Sequence, residues 1–128
     1  MSRISSYTNQ VDSHYWMKAN QQLIQKHPAW HEDADAWHAE ALLDGKDPFT
    51  YLLRKGDKEY AYFITFVKED RNIKHQSFTL EHDRGGWYYK NGTAYGPAEI
   101  IGKTLEELIP QMLHCEPKKC IPLSQFQT

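Results

Sequence analysis

The hydrophobic pattern of this chain changes from a helical to a strand period near Gly45, and that change limits what it can fold into. Upstream, apolar residues recur at helical spacing. Downstream they fall into four short runs: FTYLLR from Phe49 to Arg54, YAYFITFV from Tyr60 to Val67, NIKHQSFTL from Asn72 to Leu80, and GGWYYK from Gly85 to Lys90. Runs of this length, rich in β-branched and aromatic residues, are strand signals. The connections GDKE, KEDRN and EHDRGG are short and polar and suit antiparallel hairpins. The run from Tyr60 to Val67 is apolar on both faces, so it should be a central, buried strand.

Helices bracket this meander. Residues from about Asp12 to His27 carry a stripe of Tyr15, Ala19 and Leu23 with Trp16 beside it, and Pro28 should end that helix. The polar residues 1–10 are expected to fray. A second helix is expected from about Asp33 to Asp44. Asp33 or Asp35 would cap it, Ala36, Ala39, Leu42 and Leu43 would form its apolar face, and Gly45 would follow its end. After the strands, Asn91 to Gly102 reads as a loop, long for its place. A third helix spans about Leu105 to Cys115, opened by a capping box of Thr104 and Glu107. Its buried stripe is Leu105, Leu108, Ile109 and Met112, and Pro110 inside it should kink or shorten it. The tail KCIPLSQF suits a short edge strand. The expected fold is α+β: a central antiparallel sheet of about four strands flanked by two helices, with an extra N-terminal helix. Residues 1–27 are expected to be an extension and residues 28–128 the domain.

Composition excludes several functions. A net charge of −2 over 128 residues argues against a broad nucleic-acid surface. No run of about 18 apolar residues offers a transmembrane helix, and MSRISSYTNQ lacks the apolar centre of a signal peptide. Two cysteines, Cys115 and Cys120, are too few for a disulfide scaffold and are expected to be free thiols in a reducing cytosol. The histidines give no metal set. His27 and His31 have helical-ligand spacing, but Pro28 breaks the helix between them. His31 and His38 are seven apart with no evident third ligand. No nucleophile motif is present. The expectation is a cytoplasmic, monomeric protein with no catalytic residues, metal or cofactor.

Five segments together resemble the Src homology 2 family. Tyr51-Leu52-Leu53-Arg54 is similar to its Phe-Leu-Val-Arg strand, and Ile73-Lys74-His75 to its Val-Lys-His segment. Asp83-Arg84-Gly85-Gly86-Trp87-Tyr88 looks like the Ser-Gly-Gly-Phe-Tyr turn and strand. Thr104-Leu105-Glu106-Glu107-Leu108-Ile109 looks like its Ser-Leu-x-x-Leu-Val helix start, and Ala39-Glu40-Ala41-Leu42-Leu43 fits its Ala-Glu-x-Leu-Leu pattern. The resemblance covers about Trp30 to Leu123, in matching order. It implies a phosphotyrosine-peptide-binding module whose partners are tyrosine-phosphorylated proteins.

The resemblance makes Arg54 the phosphate anchor. The guanidinium is a planar fork of donors that stays charged and suits two phosphate oxygens at once. The alternatives are a small cytosolic enzyme, or an interaction domain in which Arg54 pairs with an internal carboxylate. Lys55, Gly56, Asp57 and Lys58 would form the loop that wraps the phosphate, with Gly56 where the family usually has a hydroxyl residue. A glycine lets backbone approach an anion closely. His75 would support the pocket beside the tyrosine ring. Ser77 stands two residues on, where the family often has a lysine, and Ala36 or Trp37 where it often has an arginine. Trp37 is a candidate for packing on the ring. Tyr95, in the loop from Asn91 to Gly102, is a candidate for a flap over the ligand. Gln76 replaces the family's usual Tyr or Cys, which implies low sequence selectivity. The reduced pocket and the extra helix are similar to divergent members found in bacterial effectors that act in host cytosol.

Overall fold

The computed structural model describes residues 2–93 and 96–124, with side chains described for residues 13–90 and 99–124. Among the described residues, three helices, α1 (Ser2–Gln25), α2 (Ala36–Leu43) and α3 (Leu105–Leu113), surround six strands. These are β1 (Thr50–Lys55), β2 (Ala61–Val67), β3 (Ile73–Glu81), β4 (Gly86–Thr93), β5 (Gly96–Gly102) and β6 (Ile121–Pro122). They form one sheet in the order β5-β4-β3-β2-β1-β6. All pairings are antiparallel except β6, which lies parallel to β1 at its edge. The backbone around Trp30 also bridges β1 in parallel fashion at Leu53.

The α+β class is as expected, but the sheet has six strands rather than about four. The segment from Asn91 to Gly102 is not a long loop. It completes β4 and supplies β5, with Tyr88 paired to Ile101 and Tyr89 to Ile100. Strand alternation explains Ile100-Ile101: Ile100 packs on the main core, while Ile101 is 46% exposed on the other face.

The sheet is apolar on both faces, and each face has its own core. Tyr51 and Leu53 of β1 join Tyr62, Ile64, Phe66, Phe78, Trp87 and the buried stripe of α3 in the larger core. Leu52, alternating with them, packs with Val67, Leu123, and Ala39 and Leu43 of α2 in the smaller one. Trp87, Phe78, Ile64 and Leu108 are all but fully buried, each worth about 1.5–3 kcal/mol in transfer from water.

The helices differ from expectation in detail. α1 extends to Ser2 instead of fraying over its first ten residues, and it ends at Gln25, three residues before Pro28. Its inward face is Trp16, Met17 and Ile24; Tyr15 and Leu23 are exposed. Both stripes satisfy helical spacing, and burial of the indole and of Ile24 decides between them. α2 starts three residues later than expected because Asp35 is the cap, accepting from the His38 amide at 2.8 Å. Thr104 caps α3, accepting from the Glu107 amide at its Oγ1, while Glu107 Oε2 reaches back one residue past the cap expected for a capping box and accepts from the Lys103 amide. That helix spans Pro110 and stops at Leu113, with His114 in the left-handed conformation. Cys115 and Cys120 are free thiols.

Candidate functional site

On the face covered by α2, β1 to β3 set three polar side chains in one row. Pairing opposes Leu52 to Thr65 and Arg54 to Phe63 on β2, then Thr65 to His75 and Phe63 to Ser77 on β3. Residues paired across strands share a face, so Arg54, Phe63, Thr65, His75 and Ser77 lie together beside α2.

Arg54 is 6% exposed. Its Nε donates to Thr65 Oγ1 at 3.1 Å, and its Nη2 lies 3.1 Å from His75 Nδ1. The Phe63 ring stacks on the guanidinium, 4.5 Å from its carbon. His75 Nδ1 also lies 2.9 Å from the Thr65 hydroxyl, and its Nε2 lies 2.7 Å from Glu40 Oε1 on α2. The bonds to Thr65 and His75 engage two of the five guanidinium N–H groups.

No ion pair among the described residues involves Arg54. Burial holds its pKa below the ordinary arginine value, while the longer-range fields of Asp35, Asp57 and Glu40 act in the opposite sense. A buried guanidinium held by neutral groups is costly unless it serves a charge. An uncharged ligand would leave this guanidinium without a charge partner, which is the physical basis on which such a group can distinguish charged from uncharged ligands.

The β1–β2 connection is tighter than its glycine suggested. The Gly56 amide donates to the Ala61 carbonyl at 2.9 Å, so it is not a donor waiting for an anion. A Cβ at Gly56 would stand 2.6 Å from that carbonyl oxygen, so glycine is required there by the turn itself. Tyr60 closes the turn at a φ of 64°. Lys55, Asp57 and Lys58 are exposed. The amides of Asp57, Lys58 and Glu59 have no hydrogen-bond acceptor among the described residues. α1 reaches this connection as well: Lys18 Nζ lies 3.3 Å from Glu59 Oε1 and 5.5 Å from the Tyr60 ring centre.

Sequence reading brought Arg54 and His75 together but missed three of their neighbours. Thr65 and Phe63 sit inside an apolar run that reads as core, and only β1–β2 register shows that they meet Arg54. Glu40 lies on the exposed flank of an amphipathic helix and meets His75 across 35 residues of sequence. Ser77 is exposed on the same face of β3. Trp37 is 77% exposed and stacks on no ring among the described residues. Tyr95 lies outside the described residues. Two of the histidines that invited a metal reading have structural roles: His27 Nδ1 accepts from the Ala29 amide, and buried His31 bonds the Leu123 carbonyl at 2.8 Å.

A sheet between two helices, with a buried arginine near the end of its second-from-edge strand, can be compared with solved structures. The SH2 domain of the CRK/CRKL homolog from Monosiga brevicollis matches with a TM-score of 0.51 at 15% identity, covering 77% of this chain and 84% of that one. The chain has an SH2-type fold. The VAV1 SH2 domain, solved with a tyrosine-phosphorylated peptide from SLP76, matches with a TM-score of 0.49 at 18% identity, covering 79% of this chain and 69% of that one. No protein-family model and no curated protein matches the chain.

Proposed function

We propose that this chain is a phosphotyrosine-peptide-binding module in which Arg54 is the phosphate anchor. The observation that carries this reading is the state of Arg54: buried, always charged, held by Thr65 and His75, and unpaired with any carboxylate among the described residues. An internal ion pair, the main structural alternative, would require such a carboxylate. Phosphotyrosine brings about −1.5 to −2 charges near pH 7, which matches a guanidinium with unengaged donors.

The surrounding residues take supporting roles. His75 and Thr65 orient the guanidinium. Lys55 and Lys58 raise the potential at the rim, opposed by Asp57, and the amides of Asp57, Lys58 and Glu59 offer donors to phosphate oxygens. Ser77 supplies a hydroxyl where a second cation would strengthen the pocket. Binding rather than catalysis is the activity, and no cofactor takes part. The unit that binds is residues 28–128, with residues 1–27 an extension whose helix braces the β1–β2 connection. The module acts as a monomer in a reducing cytosol, on tyrosine-phosphorylated proteins. The sparse cationic pocket and added helix favour an origin among bacterial effectors delivered to host cells.

The test is calorimetric titration with one tyrosine peptide in phosphorylated and unphosphorylated forms. A dissociation constant near micromolar, about −8 kcal/mol, is expected for the first. Binding weaker by at least about 2 kcal/mol is expected for the second. Equal binding of both forms contradicts the proposal.

A further inference from the structure

Glu40 belongs to two neighbouring features. Its carboxylate holds His75 at the Arg54 site, and it also lines an open groove of about 510 Å³. One wall of that groove is Trp37, Glu40, Ala41 and Asp44; the other is Arg71, Asn72 and Ile73 at the start of β3. Positions 37, 40, 41 and 44 fall on one face of α2 and its C-cap. The groove is therefore continuous with the proposed phosphate site through one side chain.

Two properties of the helical wall specify an occupant. Trp37 is the most exposed large hydrophobic among the described residues, at 77%. An indole face left in water attracts cations through its quadrupole. Two carboxylates, Glu40 and Asp44, line the groove with it. Arg71 opposes them from the far wall. No ion pair among the described residues uses either Asp44 or Arg71. An acidic side chain would meet two carboxylates on the helical wall, and an aliphatic one would leave Asp44 without a charge partner, Glu40 keeping only its bond to His75. A long side chain with a cationic head satisfies the indole and the carboxylates together.

We propose that this groove takes a lysine or arginine side chain of the peptide, close in sequence to the phosphotyrosine, with its cation over Trp37 and beside Glu40 and Asp44. The inference rests on the phosphotyrosine reading and adds to it. Selectivity would come from the α2 side of the site, through charge, rather than from the β3 position held by Gln76.

The experiment uses a phosphotyrosyl peptide with alanine at the three positions on each side of the phosphotyrosine. Six derivatives each carry one arginine, and six more each carry one glutamate. Affinities are read by fluorescence anisotropy for the wild-type chain, Trp37→Ala, Trp37→Phe and Asp44→Asn. Arginine at one or two positions should tighten binding about fivefold over alanine, the scale of a cation–π contact at an exposed site. Glutamate there should weaken it. That arginine-to-alanine ratio should fall to about one in Trp37→Ala, stay partly raised in Trp37→Phe, and shrink in Asp44→Asn and with added salt. Equal binding of arginine and alanine peptides at all six positions overturns the groove proposal and leaves the phosphotyrosine reading standing. So does an arginine advantage that survives Trp37→Ala. If no phosphotyrosyl peptide binds at all, both readings fall.

Discussion

The two ring nitrogens of His75 face groups of opposite charge: Nδ1 lies 3.1 Å from Arg54 Nη2, and Nε2 lies 2.7 Å from Glu40 Oε1. A guanidinium can only donate, so Nδ1 must accept and carries no proton. The ring proton is then on Nε2, where it donates to Glu40. His75 thus relays an acidic helix residue to a buried cation while itself neutral. Nitrogen-15 NMR should find the neutral Nε2–H tautomer; an Nδ1–H tautomer would contradict this arrangement. His75→Ala should keep the fold and weaken phosphopeptide binding by about 1–1.5 kcal/mol, the usual size of one hydrogen bond.

Gly56 should tolerate no side chain. The Cβ of Gly56→Ala would meet the Ala61 carbonyl carbon at 2.7 Å and its oxygen at 2.6 Å, and both are backbone atoms that cannot rotate away. A loss of about 1–3 kcal/mol in urea unfolding is expected, the cost of forcing extra volume into a packed site. Stability unchanged from wild type would mean that the turn is looser than described.

Alkali should unfold the chain through groups that burial keeps neutral. Tyr62 and Cys120 are each pushed up to about 12, Tyr62 chiefly by burial and Cys120 by burial and then by Cys115. Tyr89 is raised by burial as well. In the unfolded chain these groups ionise near pH 10 for tyrosine and 8.5 for cysteine. A raised folded pKa means that the native state holds its proton longer. The stabilisation is therefore complete below the unfolded values and lost as pH rises toward about 12. Urea midpoints measured from pH 8 to 11 should fall steadily. A midpoint constant across that range would contradict the burial of these groups.

Much of this was legible in the sequence, for identifiable reasons. Arg54 and His75 could be placed because the Src homology 2 resemblance of their segments singles them out, and strand alternation then gives each its face. The sheet was undercounted because Asn91 to Gly102 holds Gly92, Gly96, Pro97 and Gly102, which read as loop, yet Gly96–Gly102 pairs with Trp87–Thr93 of β4. The inward face of α1 was misread because Tyr15, Ala19 and Leu23 keep helical spacing as well as Trp16, Met17 and Ile24 do. Contacts between distant segments, such as Glu40 with His75 and Lys18 with Glu59, depend on tertiary placement that no local pattern records.

Apolar side chains after the phosphotyrosine should matter little. Gln76 is half-buried on the β3 face opposite His75, and its amide nitrogen bonds its own neighbour's carbonyl, Ser77 O, at 3.0 Å. It offers little apolar surface for reading a peptide. Affinities across an array varied only among uncharged residues at the positions following the phosphotyrosine should differ by less than about 1 kcal/mol. One sharply preferred residue there would contradict this.

The central claim is that Arg54 reads the phosphate, and a thermodynamic cycle tests it most directly. One peptide, phosphorylated or not, is titrated into the wild-type chain, Arg54→Ala and Arg54→Lys, with circular dichroism confirming that each variant is folded. In the wild-type chain the phosphate should contribute at least about 2 kcal/mol. In Arg54→Ala that contribution should nearly vanish. In Arg54→Lys it should recover only in small part, because an ammonium lacks the planar fork. A folded Arg54→Ala variant that still prefers the phosphorylated peptide by the wild-type margin would show that the anchor lies elsewhere.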